Sequence, residues 1–161
     1  MPGSPESPRR QGCTVCAAEA WGNRSDAQYR VAVIDPVRAV VRDDPTVAYA
    51  LIFGSFATGA AGPRSDLDIA IGFREPPDTL ALGDLIGRLE TATGRTVDVV
   101  DLDQAPPALA WQIFHDGLEV HVADRDAFVD RKARAILDYC DWRPTEAIFT
   151  RAVLGEGDSE R

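Results

Sequence analysis

The segment FGSFATGAAGPRSDLDIAIGF, residues 53–73, constrains the fold of this chain more than any other stretch. The apolar run TVAYALIF, which ends at its first residue, is rich in strand-forming side chains and is typical of a buried strand. Gly54 and Ser55 then begin a small-residue turn, and ten residues later Asp66 and Asp68 open a second strand pattern. The sequence therefore predicts two strands joined by a short glycine-rich loop, with two carboxylates at the start of the second strand.

Two aspartates one residue apart on a strand point to the same face, because successive side chains alternate between faces. Asp66 and Asp68 would then repel each other, and one would take up a proton unless a cation lay between them. Mg²⁺ binds one or two carboxylates together with water and substrate phosphates, and two such ions can hold the attacking and leaving oxygens of a phosphoryl transfer. The Asp-x-Asp pair therefore indicates a metal site for phosphate chemistry.

The turn before the aspartates is suited to phosphate. Gly54 lets the backbone approach a ligand closely, and Ser55 supplies a hydroxyl and starts a short predicted helix whose free N–H groups favour an anion. Three other motifs fit less well. Ala60-Ala61 stand where a P-loop requires Lys-Ser/Thr, and the oxygen ligands of an EF-hand do not follow Asp68. In a phosphatase of the haloacid dehalogenase type, a strand would run straight into the first aspartate, whereas here a Gly-Ser loop precedes Asp66.

Helical and strand patterns alternate along the rest of the chain, which predicts an α/β or α+β domain with a small mixed sheet flanked by helices. The first helix begins near Asp26, and Pro36 lies at its start or at a kink. Further strands are expected at 96–102 and 118–123. Helices are expected at 78–94, at 106–115 and from 124 to Pro144, with a shorter helical segment continuing to Leu154.

Apolar spacing within two of these helices predicts which side chains face the core. In the helix at 78–94 the expected inward residues are Leu80, Leu82, Leu85, Ile86 and Leu89. In the last helix they are Phe128, Ala133, Ile136, Leu137 and Cys140.

Length and composition suit one domain: 161 residues can bury a core without staples. Residues 1–25 are rich in Pro, Ser, Gly and Arg and are expected to form a disordered tail, followed by the domain at 26–154 and a polar tail at 155–161. Cys13 and Cys16 have the spacing of half a zinc site, but no second pair follows, so we interpret them as free thiols whose role is open.

The formal net charge of −9 disfavours direct binding to nucleic acid, since phosphate neutralisation needs a basic face. It is compatible with a nucleotide brought in by metal ions and with a basic protein partner. Neither a membrane-spanning run nor a signal peptide is recognisable, so we expect a cytoplasmic protein with no membrane contact.

The stretch GSFATGAAGPRSDLDIAI resembles the signature of the polymerase-β-type nucleotidyltransferase superfamily. It is most similar to that of the minimal nucleotidyltransferase (MNT) proteins that serve as antitoxins beside HEPN-domain toxins. The resemblance covers about residues 30–142 and implies a polymerase-β-like core. By this resemblance Asp66 and Asp68 would bind two Mg²⁺ ions. The positions assigned to nucleotide binding are Gly54, Ser55 and Ser65.

A third carboxylate on a later strand completes the site in that superfamily, and the segment VDVVDL offers Asp98 and Asp101. Strict alternation puts these two on opposite faces, so only one of them is expected in the site. The form of the family's strand favours Asp98 as the third catalytic and metal-binding carboxylate, with Asp101 as the alternative. Thr58 stands where many relatives carry a basic residue, and Arg64 could replace that cation.

The function implied by the resemblance is Mg²⁺-dependent transfer of AMP from ATP to a tyrosine hydroxyl of a cognate HEPN toxin, with release of pyrophosphate. Two alternatives stay open. The chain could modify a small molecule such as an aminoglycoside, although such enzymes usually carry an added helical domain. It could also be a non-catalytic antitoxin that acts by binding its partner, which the absence of a basic residue at Thr58 keeps in play.

Overall fold

The computed structural model describes residues 24–62 and 64–154, with side chains described from 33 to 62 and from 64 to 142. The tails predicted at 1–25 and 155–161 lie outside this range, except that Arg24 and Ser25 begin the first helix. The elements of the described residues follow in chain order: α1 (Arg24–Arg42), β1 (Val47–Ile52), α2 (Gly54–Thr58), β2 (Leu67–Phe73), α3 (Thr79–Thr93), β3 (Val97–Asp101), α4 (Pro107–Asp116), β4 (Leu118–Val122) and α5 (Arg125–Leu154).

The four strands form one mixed sheet in the order β3-β2-β1-β4. β1 pairs antiparallel with both β2 and β4, whereas β2 and β3 run parallel. The α+β architecture and the small mixed sheet predicted from the sequence are therefore confirmed. With these strand directions, the end of β1 and the starts of β2 and β3 lie at the same end of the sheet.

Helices cover both faces of the sheet and produce two apolar clusters. One cluster joins α1 and α3 to one face through residues that include Val37, Ile69 and Leu89. The other joins α4 and α5 to the opposite face through residues that include Ala70 and Phe128. Neighbours in β2 alternate between the two clusters, as the period-2 pattern of a strand requires. Within the described range, no helix is both long and apolar enough to cross a membrane.

Pro36 and Pro144 both lie inside continuous helices, although Pro36 was expected at the start or a kink of α1 and Pro144 was expected to end α5. α1 runs through Pro36, and α5 runs through Pro144 to Leu154 as one 30-residue helix instead of ending and restarting. A proline removes one backbone hydrogen bond and can bend a helix, but the residues on either side can keep helical geometry. The predicted break at Pro144 is therefore wrong.

The inward set predicted for α3 is right at its centre and wrong at its start. Leu85 and Leu89 are buried, and Leu82 packs against the core, but Leu80 is 85% exposed. At 100° per residue, Leu80 lies on the side of the helix opposite Leu85 and Leu89, so it cannot share their contact with the sheet.

The inward set predicted for α5 is also largely wrong. The side that packs against the domain carries Phe128 and Ala135, together with the buried Arg131. Ala133, Ile136, Leu137 and Cys140 are exposed, contrary to the prediction. Both sets follow helical spacing, and the sequence pattern alone does not distinguish which of two apolar faces meets the sheet.

Candidate active site

The turn after β1 is built around a glycine that no other residue can replace without strain. Gly54 has a φ of 65°, in the left-handed region that disfavours side chains. An added Cβ there would lie 2.1 Å from Oδ2 of Asp68. The backbone N–H of Phe53 also donates to the carbonyl oxygen of Asp68 over 3.0 Å. The glycine turn and the second aspartate are therefore held against each other.

The short helix α2 begins directly at this turn. Phe56 and Ala57 are buried and anchor it to the core, whereas Ser55 is only partly buried in its first turn. Backbone N–H groups in the first turn of a helix have no intrahelical acceptors, which makes them suitable donors to an anion. The exposed Thr58 donates its hydroxyl to the carbonyl oxygens of Gly54 (3.2 Å) and Ser55 (3.3 Å) and contributes no positive charge.

Three carboxylates meet at the starts of β2 and β3. Asp66 is exposed in the turn that precedes β2, and Asp68 is partly buried as the second residue of that strand. The parallel register pairs Asp68 with Asp98, the second residue of β3. Burial, followed by the negative charges of Asp98 and Asp66, raises the pKa of Asp68 above its ordinary value. The register therefore places Asp98 beside Asp68, and both Asp98 and Asp66 lie near enough for their charges to act on the Asp68 carboxylate.

Asp101 lies elsewhere. It pairs with Ile71 near the opposite end of β2 and β3, and its Oδ1 accepts a hydrogen bond from the backbone N–H of Asp103 over 2.9 Å. It is not among the charges that raise the pKa of Asp68. Of the two candidates in VDVVDL, Asp98 is the one that the fold places beside the Asp-x-Asp pair.

The turn that leads into Asp66 is held by Ser65 and by an arginine that the sequence analysis missed. The Ser65 hydroxyl accepts a hydrogen bond from the backbone N–H of Gly62 over 2.8 Å, so it braces the turn internally. A guanidinium nitrogen of Arg95 donates to the Ser65 carbonyl oxygen over 3.1 Å. The Arg95 guanidinium also lies 5.2 Å from the centre of the Phe56 ring in α2. Arg95 thus links the segment before β3 both to the short helix α2 and to the turn before Asp66.

A sequence signal for Arg95 existed only indirectly. The residue lies two positions before Val97, which pairs with Leu67 in the parallel register. Once that register is known, residue 95 must lie near residue 65. Arg64, the cation suggested from the sequence, is exposed in the same turn.

The site's ligand chemistry suits a hard divalent cation such as Mg²⁺. Its side-chain donors are carboxylates, which Mg²⁺ prefers, and their mutual repulsion is the problem that a cation between them relieves. Among the described residues, no three or more His, Cys, Asp or Glu side chains are already grouped so as to hold a metal ion on their own.

Residues 36–126 match the model of the polymerase β nucleotidyltransferase family. The chain belongs to this family. The matched range contains the Gly54 turn, the Asp-x-Asp pair, Arg95 and Asp98, so every feature of the site lies inside it.

One curated relative is the protein adenylyltransferase MntA of Shewanella oneidensis. This chain is 31% identical to it over 88 residues. The alignment covers 54% of this chain and 63% of that relative, so the chain spans less than two thirds of the relative's length.

Two solved structures share the fold of this nucleotidyltransferase. A toxin–antitoxin complex with AMP-PNP matches with a TM-score of 0.67 and 24% identity, covering 75% of this chain and 98% of the matched chain. A complex of a tri-AMPylated Shewanella oneidensis HEPN toxin with an MNT antitoxin matches with a TM-score of 0.60 and 21% identity, covering 80% and 98%. At 24% and 21% identity, these two structural similarities show the fold of this chain alone.

Proposed function

We propose that this nucleotidyltransferase transfers AMP from ATP to a tyrosine hydroxyl of a cognate HEPN toxin and so acts as its antitoxin. The observation that carries the proposal is the meeting of Asp66, Asp68 and Asp98 beside the Gly54 turn. The name of the MntA relative and the AMPylated toxin in a complex of the same fold support AMP as the transferred group and a protein as the acceptor.

The three carboxylates would hold two Mg²⁺ ions. Mg²⁺, when bound, offsets the charge of the phosphates and of the attacking oxygen. The backbone at Gly54 and the hydroxyl of Ser55 would orient the β and γ phosphates at the start of α2. Ser65 and Arg95 would keep the turn before Asp66 in place. Most of the catalysis is then positioning and charge neutralisation.

The proposed transfer forms one bond and breaks one. The tyrosine oxygen bonds to the α-phosphorus, the bond from that phosphorus to the bridging oxygen breaks, and pyrophosphate leaves. The hydroxyl proton passes to the carboxylate of Asp98, which suits this role because it is exposed next to Asp68. Because the reaction consumes ATP and requires Mg²⁺, we propose that the protein acts in the cytoplasm.

Intact mass spectrometry tests the proposal. The purified chain is incubated with α-labelled ATP, Mg²⁺ and its HEPN partner, in parallel with an Asp66→Asn variant. The expected result is a gain of one or more AMP masses on the partner with wild type and none with the variant. Circular dichroism of the variant checks that its fold is intact. Transfer that persists in a folded Asp66→Asn variant would exclude the proposed site.

A binding-only antitoxin is the second candidate, and one observation favours it. Thr58 turns its hydroxyl back onto the Gly54 and Ser55 carbonyl oxygens of α2 and supplies no positive charge to phosphates there. In that case the chain silences its partner in a stable complex, the partner's mass stays unchanged, and Asp66→Asn silences it equally well. The same mass measurement, combined with an assay of the partner's toxicity, separates the two functions.

A further inference from the structure

Among the side chains of α5 that the structure describes, those of residues 125–142, there are two apolar faces, and the domain packs against one of them. The inner face packs on the sheet and α4: the Phe128 ring lies 5.4 Å from that of Tyr49, and the Tyr139 ring stacks on Trp111 at 4.6 Å. Arg131 adds hydrogen bonds to the Leu102 carbonyl and to Asp103. The inner face therefore anchors α5 without help from the rest of the helix.

The outer face carries Val129, Ala133, Ile136, Leu137 and Cys140, which we call the outer stripe. Three of its side chains are large and open to solvent: Val129 is 50% exposed, Ile136 44% and Leu137 65%. The five residues of the outer stripe are spaced by three, four, seven or eight positions, which places them in one row along the helix. Single exposed apolar residues are ordinary, but a continuous row on one helix face marks an interaction site.

The outer stripe has a charged border. Asp130 and Asp141, eleven residues apart, are exposed along one edge of the stripe, and the exposed Arg134 lies between them in sequence on the same edge. Asp126 is exposed at the N-terminal end of the stripe, so the charges on this side are mostly acidic. On the other edge, Lys132 lies 5.9 Å from the centre of the Phe128 ring and is drawn toward the domain. An apolar face with an acidic edge is complementary to an apolar face with a basic edge.

We propose that the outer stripe of α5 docks the protein acceptor of AMP transfer, which meets it with an apolar helix face bordered by Lys or Arg. This inference rests on the proposed function for the identity of the partner. A second copy of this chain is disfavoured because its net charge of −9 opposes self-association.

The comparison structures include this fold in a complex with a HEPN toxin, which is the partner class that we assign to the stripe.

Calorimetric titration of the chain with its HEPN partner tests the surface. We expect Leu137→Asp and Ile136→Asp each to weaken binding about tenfold or more, because a charge replaces a buried apolar contact. Asp130→Lys should weaken binding with a smaller effect that shrinks at high salt. Leu80→Asp is the matched control, since Leu80 is an exposed leucine on α3. All variants should keep the wild-type circular dichroism spectrum and ATP·Mg²⁺ affinity.

The outcomes separate this surface from the proposed function. If wild type transfers AMP and Leu137→Asp binds the partner as tightly as wild type does, the surface is wrong and the function stands. If Leu137→Asp loses binding but wild type transfers no AMP, the surface stands and the function fails. A wild-type chain that neither binds nor modifies the partner overturns both. Sedimentation that shows a wild-type dimer and a Leu137→Asp monomer assigns the stripe to a second copy and overturns the proposal.

Discussion

Gly54 and Asp68 are in close contact: a Cβ on the glycine would lie 2.1 Å from the aspartate's Oδ2. The contact joins the end of β1 to the start of β2, because the Phe53 N–H also bonds to the Asp68 carbonyl. The Gly54 turn and the Asp68 side chain are thus packed against each other, and we expect a change in one to move the other.

Gly54→Ala is therefore expected to lower AMP transfer by about 100-fold or more, since even a 1 Å displacement of a catalytic group costs that much. Both the positive φ and the clash with Asp68 oppose the new side chain. Gly62→Ala is the control, because its nearest neighbour would be the Ser65 hydroxyl at an ordinary 3.8 Å. Initial rates with ATP and the partner protein measure both. Equal losses in the two variants would show that the contact with Asp68 has no special role.

Asp68 should make the metal-free protein less stable at neutral pH. Burial and the charges of Asp98 and Asp66 raise its pKa above the ordinary 3.8. The folded state therefore prefers the protonated form. The stability that this group contributes is fully present below the ordinary pKa and is lost as the pH rises through the raised one.

We expect Asp68→Asn to remove that loss, so the variant should be more stable than wild type at pH 7 without metal and similar to it at pH 3. Mg²⁺ should stabilise wild type more than the variant. Urea midpoints at the two pH values, with and without Mg²⁺, provide the test. A variant that is less stable than wild type at pH 7 without metal would contradict the repulsion.

Arg95 is expected to act through the turn that it holds. Arg95→Met removes the hydrogen bond to the Ser65 carbonyl and the contact with Phe56. The KM for ATP should rise and the transfer rate should fall about tenfold, while Arg95→Lys should recover part of the loss. Steady-state kinetics separate KM from kcat. If Arg64 instead supplies a cation to the phosphates, Arg64→Met will raise the KM and Arg95→Met will not.

Two glycine-to-alanine substitutions should change stability in opposite directions. At Gly72 a Cβ would lie 2.0 Å from Cζ of Tyr49, whose ring is packed against Phe114 and Phe128. Gly72→Ala should therefore lower the free energy of unfolding by about 1–3 kcal/mol. At Gly83, within α3, an added Cβ would meet no side chain and no other element within 4 Å, and alanine should raise the free energy of unfolding by about 0.5–1 kcal/mol. Chemical denaturation measures both; stabilisation by Gly72→Ala would show that Tyr49 can move aside.

Local patterns predicted the mixed sheet and the loop that carries Gly54, because strand periodicity and glycine turns are written in neighbouring residues. They did not decide between Asp98 and Asp101, since that choice depends on how β3 is paired with β2. Arg95 was missed for the same reason: its contact with Ser65 crosses thirty positions of sequence.

The errors in the helices have a related cause. Leu137 is apolar and correctly spaced, but spacing defines a face without saying what that face contacts. Leu80 was included because it is apolar, although helical geometry puts it opposite Leu85 and Leu89. In α5 both faces are apolar, and only the packed structure shows that the sheet takes the face with Phe128.

The most direct test of the account compares single-turnover AMP transfer by wild type, Asp98→Asn and Asp101→Asn. Since Asp98 faces Asp68 and Asp101 lies at the other end of the strand pair, Asp98→Asn should lower the rate about 100-fold or more. Asp101→Asn should transfer AMP at nearly the wild-type rate. If Asp101→Asn loses activity while Asp98→Asn keeps it, the three carboxylates described here are not the active site.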